Sequence, residues 1–561
     1  MKKTIIVSLV LSIIFIIPFL LTKGALVGDD LSFHLNRMLS LENVWESPIN
    51  FKYFYGIGSS VNLFYPFLTY YPFYFFYELT GSIYWGFILF QVLLANLTFI
   101  ISYYSASIIL SRSSFESNNS HLYALIFSIL YLFSNYRLDN IINRFATGEY
   151  LAQTFIPLVF MGLYCLLICE TTNKQYWFLS IGMSLVVYSH ILSFVVTSIL
   201  VGIIFISVIF LTNDRLIRVV NFIKSIVGAI LLSSFQLVMM IEQFLANKIM
   251  SPSIYSLNDS TNSFTDLFSS TGTISHNHLG IMIVISYVIL MFFAFFFKIA
   301  KLEFYLLTIS SFLILLQLDI IHYPDSNKIF GIIQFIWRLD SFVTLFILFA
   351  ITHLLYRLKL KKMPIVVVIF FLSITIPVMS YTLKNRVDTG IDVLNYMVND
   401  DKSDKVVNGI HKAADYIIYS SNEKQSLDSF QEKVNHKVFV ENSNEEILNN
   451  IEFDNNQANI QVFIDKHREN VEIPFYLFKG IVVAVDGEIS SVHMSNNGSP
   501  VVKVGSGVHN IVISYRKTML QKFSFIISIL SVLSMFGYVV IIYFSKENKN
   551  EKNIHRRSLL Q

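Results

Sequence analysis

Residues 28–37 read Gly-Asp-Asp-Leu-Ser-Phe-His-Leu-Asn-Arg. A helix beginning at Leu31 sets Asp30, His34 and Arg37 at i, i+4 and i+7, on one face. A carboxylate can take a proton, and a guanidinium can hold an oxyanion through paired hydrogen bonds. The same residues fit a plainer arrangement, in which Asp30 caps the helix while His34 and Arg37 face solvent or lipid headgroups. Asp29 supplies a second carboxylate beside the first.

Other ionisable side chains stand where long apolar runs begin or end. Arg137, Asp139, Asn143, Arg144, Gly148, Glu149 and Tyr150 precede one run, and Arg144 with Glu149 makes either a structural ion pair or part of a site. His190, between two runs, either caps a tight turn or binds something. Ser275-His276-Asn277-His278 has a spacing that could hold a divalent cation, but no carboxylate or cysteine lies at ligand spacing beside it. Gln334, Trp337, Arg338 and Asp340 open another run. An arginine so near hydrocarbon needs a partner, either Asp340 or a lipid phosphate. Tyr53 to Gly58 and Phe64 to Tyr77 are dense in aromatics and make either an interfacial belt or a groove that stacks on a sugar or lipid stem. Gly56-Ile57-Gly58 is no nucleotide loop, because no strand precedes it.

The elements that position these residues follow from composition. Of 561 residues only 14% are charged, against about 25% in ordinary globular chains, and 54% are hydrophobic, with 52 Phe and 30 Tyr and a mean hydropathy of +0.58. An ordinary soluble enzyme, a disordered chain and a nucleic-acid binder are excluded. The two cysteines, Cys165 and Cys169, share one face of an apolar run and read as packing residues. Since a bilayer core is crossed by about 20 apolar helical residues, spans are expected near 4–22, 83–110, 122–134, 151–169, 175–189, 191–212, 222–241, 279–297, 302–318, 332–355, 364–380 and 521–544, about twelve in all. The stretch 175–212 reads as one kinked helix or two tight ones. Lys2 and Lys3 followed by an apolar run, with no cleavage site, read as an uncleaved first helix.

Basic residues are retained on the cytoplasmic side of short loops. Beginning with Lys2 and Lys3 inside, alternate loops carry Arg112, Lys174, then Arg215, Arg218 and Lys224, then Lys298 and Lys301, then Arg357, Lys359, Lys361 and Lys362, and finally a basic tail over 545–561. The intervening loops carry Asp29, Asp30, Glu42, Glu46, Glu78, Asp139, Glu149, Asp259 and Asp266. This alternation puts both termini in the cytoplasm of a multi-pass plasma-membrane protein. Every candidate residue above then falls on the outer face, within or beyond a large first outer loop over 23–82.

After a polytopic part over 1–380, composition shifts sharply. Residues 381–520 are rich in Asn, Asp, Lys, Ser and Val and form an extracytoplasmic domain. Helix-like spacing runs from about Asp388 to Ser420. From about 430 short alternating runs such as Ile460–Ile464, Val482–Val485, Val501–Val504 and Ile511–Tyr515 are separated by Asp486-Gly487, Asn497-Gly498 and Gly505 to Gly507, which reads as a small β-sandwich. Its aromatic supply is thin, mainly Phe475, Tyr476 and Phe478, so positioning a polymer fits it better than tight sugar stacking.

A first helix followed at once by an outer acidic loop, many further spans and a terminal outer β domain resembles the GT-C class of polytopic glycosyltransferases. Within that class, Asp29 to Arg37, Arg144 to Tyr150, Gln334 to Arg338, Gly480-Ile481-Val482-Val483-Ala484-Val485-Asp486-Gly487 and Gly507-Val508-His509 are similar to the YfhO-like bacterial membrane proteins. The resemblance covers most of the chain. It implies a polyprenyl-phosphate-linked sugar as donor and transfer outside the cell to an envelope acceptor such as teichoic acid, polysaccharide or glycolipid. It also implies a first-loop carboxylate as general base, either Asp29 or Asp30. Asp30 shares a helix face with His34 and Arg37 and is the choice. His34, Arg37, Arg144, Glu149, His190, Trp337 and Arg338 are then expected to bind donor phosphate or substrate. The activated donor supplies the energy, so no ATP site is required and no cofactor is specified beyond the divalent cation that His276 and His278 suggest. The alternatives are a flippase or exporter of lipid-linked precursors and a non-catalytic scaffold of envelope assembly. Membrane lipids are partners in each case, and nucleic acid in none.

Overall fold

In the computed structural model the chain is a helical membrane protein with a C-terminal antiparallel β region. The structure describes residues 2–113, 119–171, 177–250, 256–269, 272–324, 333–360, 363–389, 393–395, 415–419, 423–440, 446–447, 451–454, 456–464 and 469–558. Among these, six helices are long and apolar enough to cross a bilayer: Ile83–Ser111, Thr147–Ile168, Ile191–Ile209, Ile336–Arg357, Ile365–Thr389 and Met519–Tyr538. Arg215–Leu232 and Ser234–Ala246 meet at 74° and give a seventh if they form one broken span.

The expected count of about twelve is therefore too high, and the reason is helix length. The run at 122–134 forms a helix of 13 residues, 175–189 one of 11, 279–297 one of 16 and 302–318 one of 15. The run at 222–241 is the one broken by the bend, and the apolar part of the first helix, Thr4–Leu20, is also short. Residues 175–212 are two helices, Trp177–Val187 and Ile191–Ile209.

Glycine decides how closely two of these helices approach. A Cβ on Gly162 would sit 2.2 Å from the Leu179 backbone nitrogen, and one on Gly182 would sit 2.8 Å from Val159 Cγ2. Small residues at these crossings let Thr147–Ile168 and Trp177–Val187 pack backbone to backbone. Elsewhere a buried carboxylate ties two helices together. Glu303, in Lys301–Leu315, lies 2.8 Å from His353 Nδ1 and accepts from Arg357 Nε and Nη2 at 3.1 and 3.0 Å.

The β region comprises two five-stranded antiparallel sheets. One runs in the order Ile451–Phe453, Gln457–Ile464, Gly507–Tyr515, Ile481–Val485, Glu488–Ile489. The other runs His493–Met494, Pro500–Val504, Glu469–Glu472, Lys437–Val440, Glu446–Ile447. Period-two alternation builds the first sheet: Ala458, Ile460, Val462 and Ile464 are buried while Gln461 and Phe463 point outward. Asp486 and Gly487, at φ of 51° and 88°, make the two-residue hairpin that an Asp-Gly pair favours. Phe475, Tyr476 and Phe478 are fully buried, so they are core residues and offer no ring to a sugar. Of the expected helix from Asp388 to Ser420, residues 390–392, 396–414 and 420 lie outside those described; the helix Met363–Thr389 ends at its start and Val393–Asn395 is a strand.

The segment 23–82 joins the helices to the C-terminal region. Ala25–Val27 pairs antiparallel with Val393–Asn395. Phe64 stacks on Tyr416 with centroids 5.2 Å apart, and the Tyr55 carbonyl lies 3.1 Å from His436 Nε2. Gln243, at the end of the bent helix pair, exchanges two hydrogen bonds with the Lys479 backbone.

Candidate functional site

Leu31–Leu39 is helical, with Asp30 at its N-cap position, yet the Asp30 side chain makes no capping hydrogen bond. His34 and Arg37 do not face solvent: they are 2% and 0% exposed. His34 Nδ1 lies 2.9 Å from Thr147 Oγ1. The Arg37 guanidinium stands over two rings, 4.0 Å from the Tyr65 centroid and 4.6 Å from that of Tyr70, and donates from Nη2 to the Pro66 carbonyl. Its Nε and Nη1 have no hydrogen-bond partner among the described residues. Burial lowers its pKa, so the charge is held at a cost.

The backbone carries Asp29 and Asp30 into this region. The Asp29 and Asp30 amides donate to the Asn143 and Arg144 carbonyls, each at 2.9 Å. Gly28, at φ 141°, permits the approach, because a Cβ there would meet Phe145 Cβ at 2.5 Å. The two carboxylates then part. Asp29 is exposed and pairs with Arg386 Nη2 at 2.5 Å, whereas Asp30 is half-buried.

Asn135–Ile142 and the start of Thr147–Ile168 build the charged centre. Glu149 Oε1 accepts from Tyr136 Oη at 2.5 Å, and Oε2 lies 3.2 Å from Arg144 Nη1 and 3.4 Å from Arg338 Nε. Arg144 also donates to Asn140 Oδ1 at 2.6 Å. Burial works against the Arg144 charge, but Glu149, with Tyr136, Asp139 and Asp30, holds the guanidinium above its ordinary range. Arg338 thus pairs with Glu149. Asp340, the protein partner expected for it, instead accepts from Gln317 Nε2 at 2.9 Å.

Tyr65 and His190 lie between the Arg37 side and the Glu149 side. Their rings are 5.7 Å apart, and each is within electrostatic reach of Arg37, Arg338 and Glu149. Burial pushes the Tyr65 phenol up to about 12, and burial together with Arg338 pushes the His190 imidazole down to about 3. Both are neutral at physiological pH. His190 also fulfils the capping expectation: it is the N-cap of Ile191–Ile209 and its ring accepts from the Ser193 amide.

The His-x-His pair divides. His276 Nδ1 lies 3.2 Å from Asp139 Oδ2 and its ring lies 4.3 Å from the Trp337 ring, while the His278 carbonyl accepts from Asn135. Among the described residues no group of three or more His, Cys, Asp or Glu gathers as metal ligands.

The structure therefore brings Asp30, Arg37, Arg144, Glu149, His190 and Arg338 together, with His34 and Trp337 beside them, and leaves His278 outside. Sequence reasoning held Tyr65 and Tyr70 only as part of an aromatic stretch, and it missed Asn140 and the pairing of Asp139 with His276. The spacing of Tyr136, Asn140 and Arg144 at i, i+4 and i+8 was a signal for that face. Nothing in the sequence points to Arg386.

No protein-family model matches the sequence, and no curated protein matches it. Among solved structures, the chain is distantly similar to the arabinofuranosyltransferase AftD from Mycobacteria, with a TM-score of 0.44 and 13% identity over 68% of this chain. A structure of a point mutant of the same protein gives a TM-score of 0.39 and 14% identity. The chain spans 26% and 27% of those chains.

Proposed function

We propose that this protein is a membrane glycosyltransferase of GT-C type that moves a sugar from a polyprenyl-phosphate-linked donor to a cell-envelope acceptor on the outer face of the membrane. One observation carries the reading. Two guanidiniums, Arg144 and Arg338, hold one buried carboxylate, Glu149, and a third, Arg37, lies buried beyond Tyr65 and His190 with two donor nitrogens unmet among the described residues. A buried guanidinium with unmet donors favours an anion, and a phosphate in a lipid headgroup has the right charge and hydrogen-bonding capacity.

In this reading an acceptor hydroxyl attacks the anomeric carbon. The new O–C bond forms as the C–O bond to phosphate breaks, the electron pair leaves on the phosphate, and the hydroxyl proton passes to Asp30. Asp30, at the N-cap of the helix that carries His34 and Arg37, is the base in this reading, and Asp29 is held by Arg386. Proton transfer of this kind contributes about 100- to 10,000-fold, and the arginines stabilise the phosphate as its charge grows. Tyr65 and His190, uncharged, add no competing anion.

The test uses the full chain in lipid nanodiscs with polyprenyl-phosphate donors carrying labelled hexoses, and teichoic acid, polysaccharide and glycolipid as acceptors. Label should move to at least one acceptor. Movement of intact donor across vesicle membranes with no transfer to any acceptor would overturn the reading in favour of a flippase.

A further inference from the structure

On the flank of the arginine centre lies an assembly the donor site does not use. Asp139 is fully buried and its Oδ2 lies 3.2 Å from His276 Nδ1. An ionised carboxylate only accepts hydrogen bonds, so the proton of the neutral imidazole sits on Nδ1 and Nε2 is left as an acceptor. The His276 side chain is 25% exposed. Its ring is clamped against Trp337 at 4.3 Å, and Phe335 stacks on Trp337 at 4.5 Å and 7°. Trp337 Nε1–H is buried and has no hydrogen-bond partner among the described residues. A fixed acceptor nitrogen and an unmet donor N–H therefore stand on two rings in contact.

Both are tied to the donor site through the backbone. Trp337 precedes Arg338, which holds Glu149. Asn143 donates to Asp139 Oδ1 at 2.8 Å, and its carbonyl accepts from the Asp29 amide. We propose that His276 and Trp337 form the acceptor subsite, reading neighbouring hydroxyls of a sugar or glycerol unit: one hydroxyl donates to His276 Nε2 and the oxygen of the next accepts from Trp337 Nε1. Asp139 is a positioning residue that fixes the His276 tautomer. A hydroxyl pair satisfies one donor and one acceptor at once, which an apolar or purely anionic ligand does not. This assignment of the subsite to an acceptor rests on the glycosyltransferase reading; hydroxyl recognition at the two rings does not.

The experiment measures binding separately from transfer. Saturation-transfer NMR with chitotriose and with a glycerol-phosphate hexamer is recorded on the full chain in nanodiscs, for wild type, Asp139→Asn and Trp337→Phe. In Asp139→Asn the new amide donates to Nδ1, which moves the imidazole proton to Nε2 and turns the acceptor into a donor. Wild type should bind at least one probe, and each variant should weaken that binding by at least about fivefold. Trp337→Phe removes only the N–H and keeps the ring stack, so it guards against a folding defect in Asp139→Asn. Wild type that binds neither probe, or Trp337→Phe that binds as wild type does, overturns the proposal. Probe binding lost in the variants but no sugar transfer by wild type would support the subsite and overturn the glycosyltransferase reading instead.

Discussion

Arg386 reaches back 357 residues to hold Asp29 at 2.5 Å, with the same Nη2 donating to the Asn143 carbonyl at 2.8 Å. This one contact separates two adjacent carboxylates into a tethered one and a half-buried one at the first turn of a helix. The separation predicts unequal roles. Asp30→Asn should lower turnover by at least about 100-fold with donor binding nearly intact, because the amide keeps the shape but takes no proton. Asp29→Asn should lower turnover by less than about tenfold, by loosening the loop. Steady-state transfer assays on the two variants decide it, and equal losses would remove Asp30 as the base.

Gly148 is the site of a second prediction. A Cβ there would lie 2.3 Å from Tyr65 Oη, and moving that phenol displaces the ring under Arg37. A desolvated cation–ring contact is worth about 2 kcal/mol, or roughly 30-fold in affinity. Gly148→Ala should therefore weaken binding of polyprenyl phosphate by about 10- to 30-fold with the protein still folded. Titration of a labelled lipid phosphate into nanodiscs measures it.

Lys433 gives a pH dependence in the β region. Its ammonium is buried, 2.8 Å from Ser429 Oγ and 3.0 Å from the Asn497 carbonyl, and burial lowers its pKa to about 8. The unfolded chain keeps the ordinary value near 10.5. Between these two values the unfolded state binds more protons, so stability rises as pH rises from about 8 to 10.5, and below about pH 8 the full penalty applies. Lys433→Met should be the more stable protein at neutral pH and should lack this rise. Thermal unfolding of both proteins at a series of pH values checks the sign.

Orientation is tested by accessibility. Cys165 and Cys169 are both buried and free, so Cys165→Ala with Cys169→Ala gives a thiol-free background. On intact cells an impermeant thiol reagent should label Glu488→Cys, in the β region, and should leave Asn213→Cys unlabelled. Labelling of the second would invert the orientation and place the arginine centre on the cytoplasmic side.

Much of the architecture was legible along the chain. Hydropathy is a sum over neighbours in sequence, so the membrane class follows from it directly. Strand pattern is local too: alternation over Ile460–Ile464 and the Asp486-Gly487 turn produce the sheet and the hairpin that the residues imply. The helix carrying His34 and Arg37 also forms where its spacing places it.

What the chain could not say by itself is where an apolar run stops and what a polar group meets. A run of Ile, Leu and Phe reads alike whether it makes a full span or a 13-residue buried helix, because burial in protein and burial in lipid ask for the same side chains. Where each helix ends set the number of candidate spans. The partner of Arg338 was likewise a tertiary decision. Asp340 is two residues away, but Gln317 takes it up, and Glu149, 189 positions back in sequence, meets the guanidinium instead. Pairing in a desolvated interior is fixed by which helix ends converge, since a buried charge must find the group that packing brings within reach. For the same reason Phe475, Tyr476 and Phe478 are core residues, and a carboxylate, an imidazole and an indole from three separate segments, Asp139, His276 and Trp337, come together at one place.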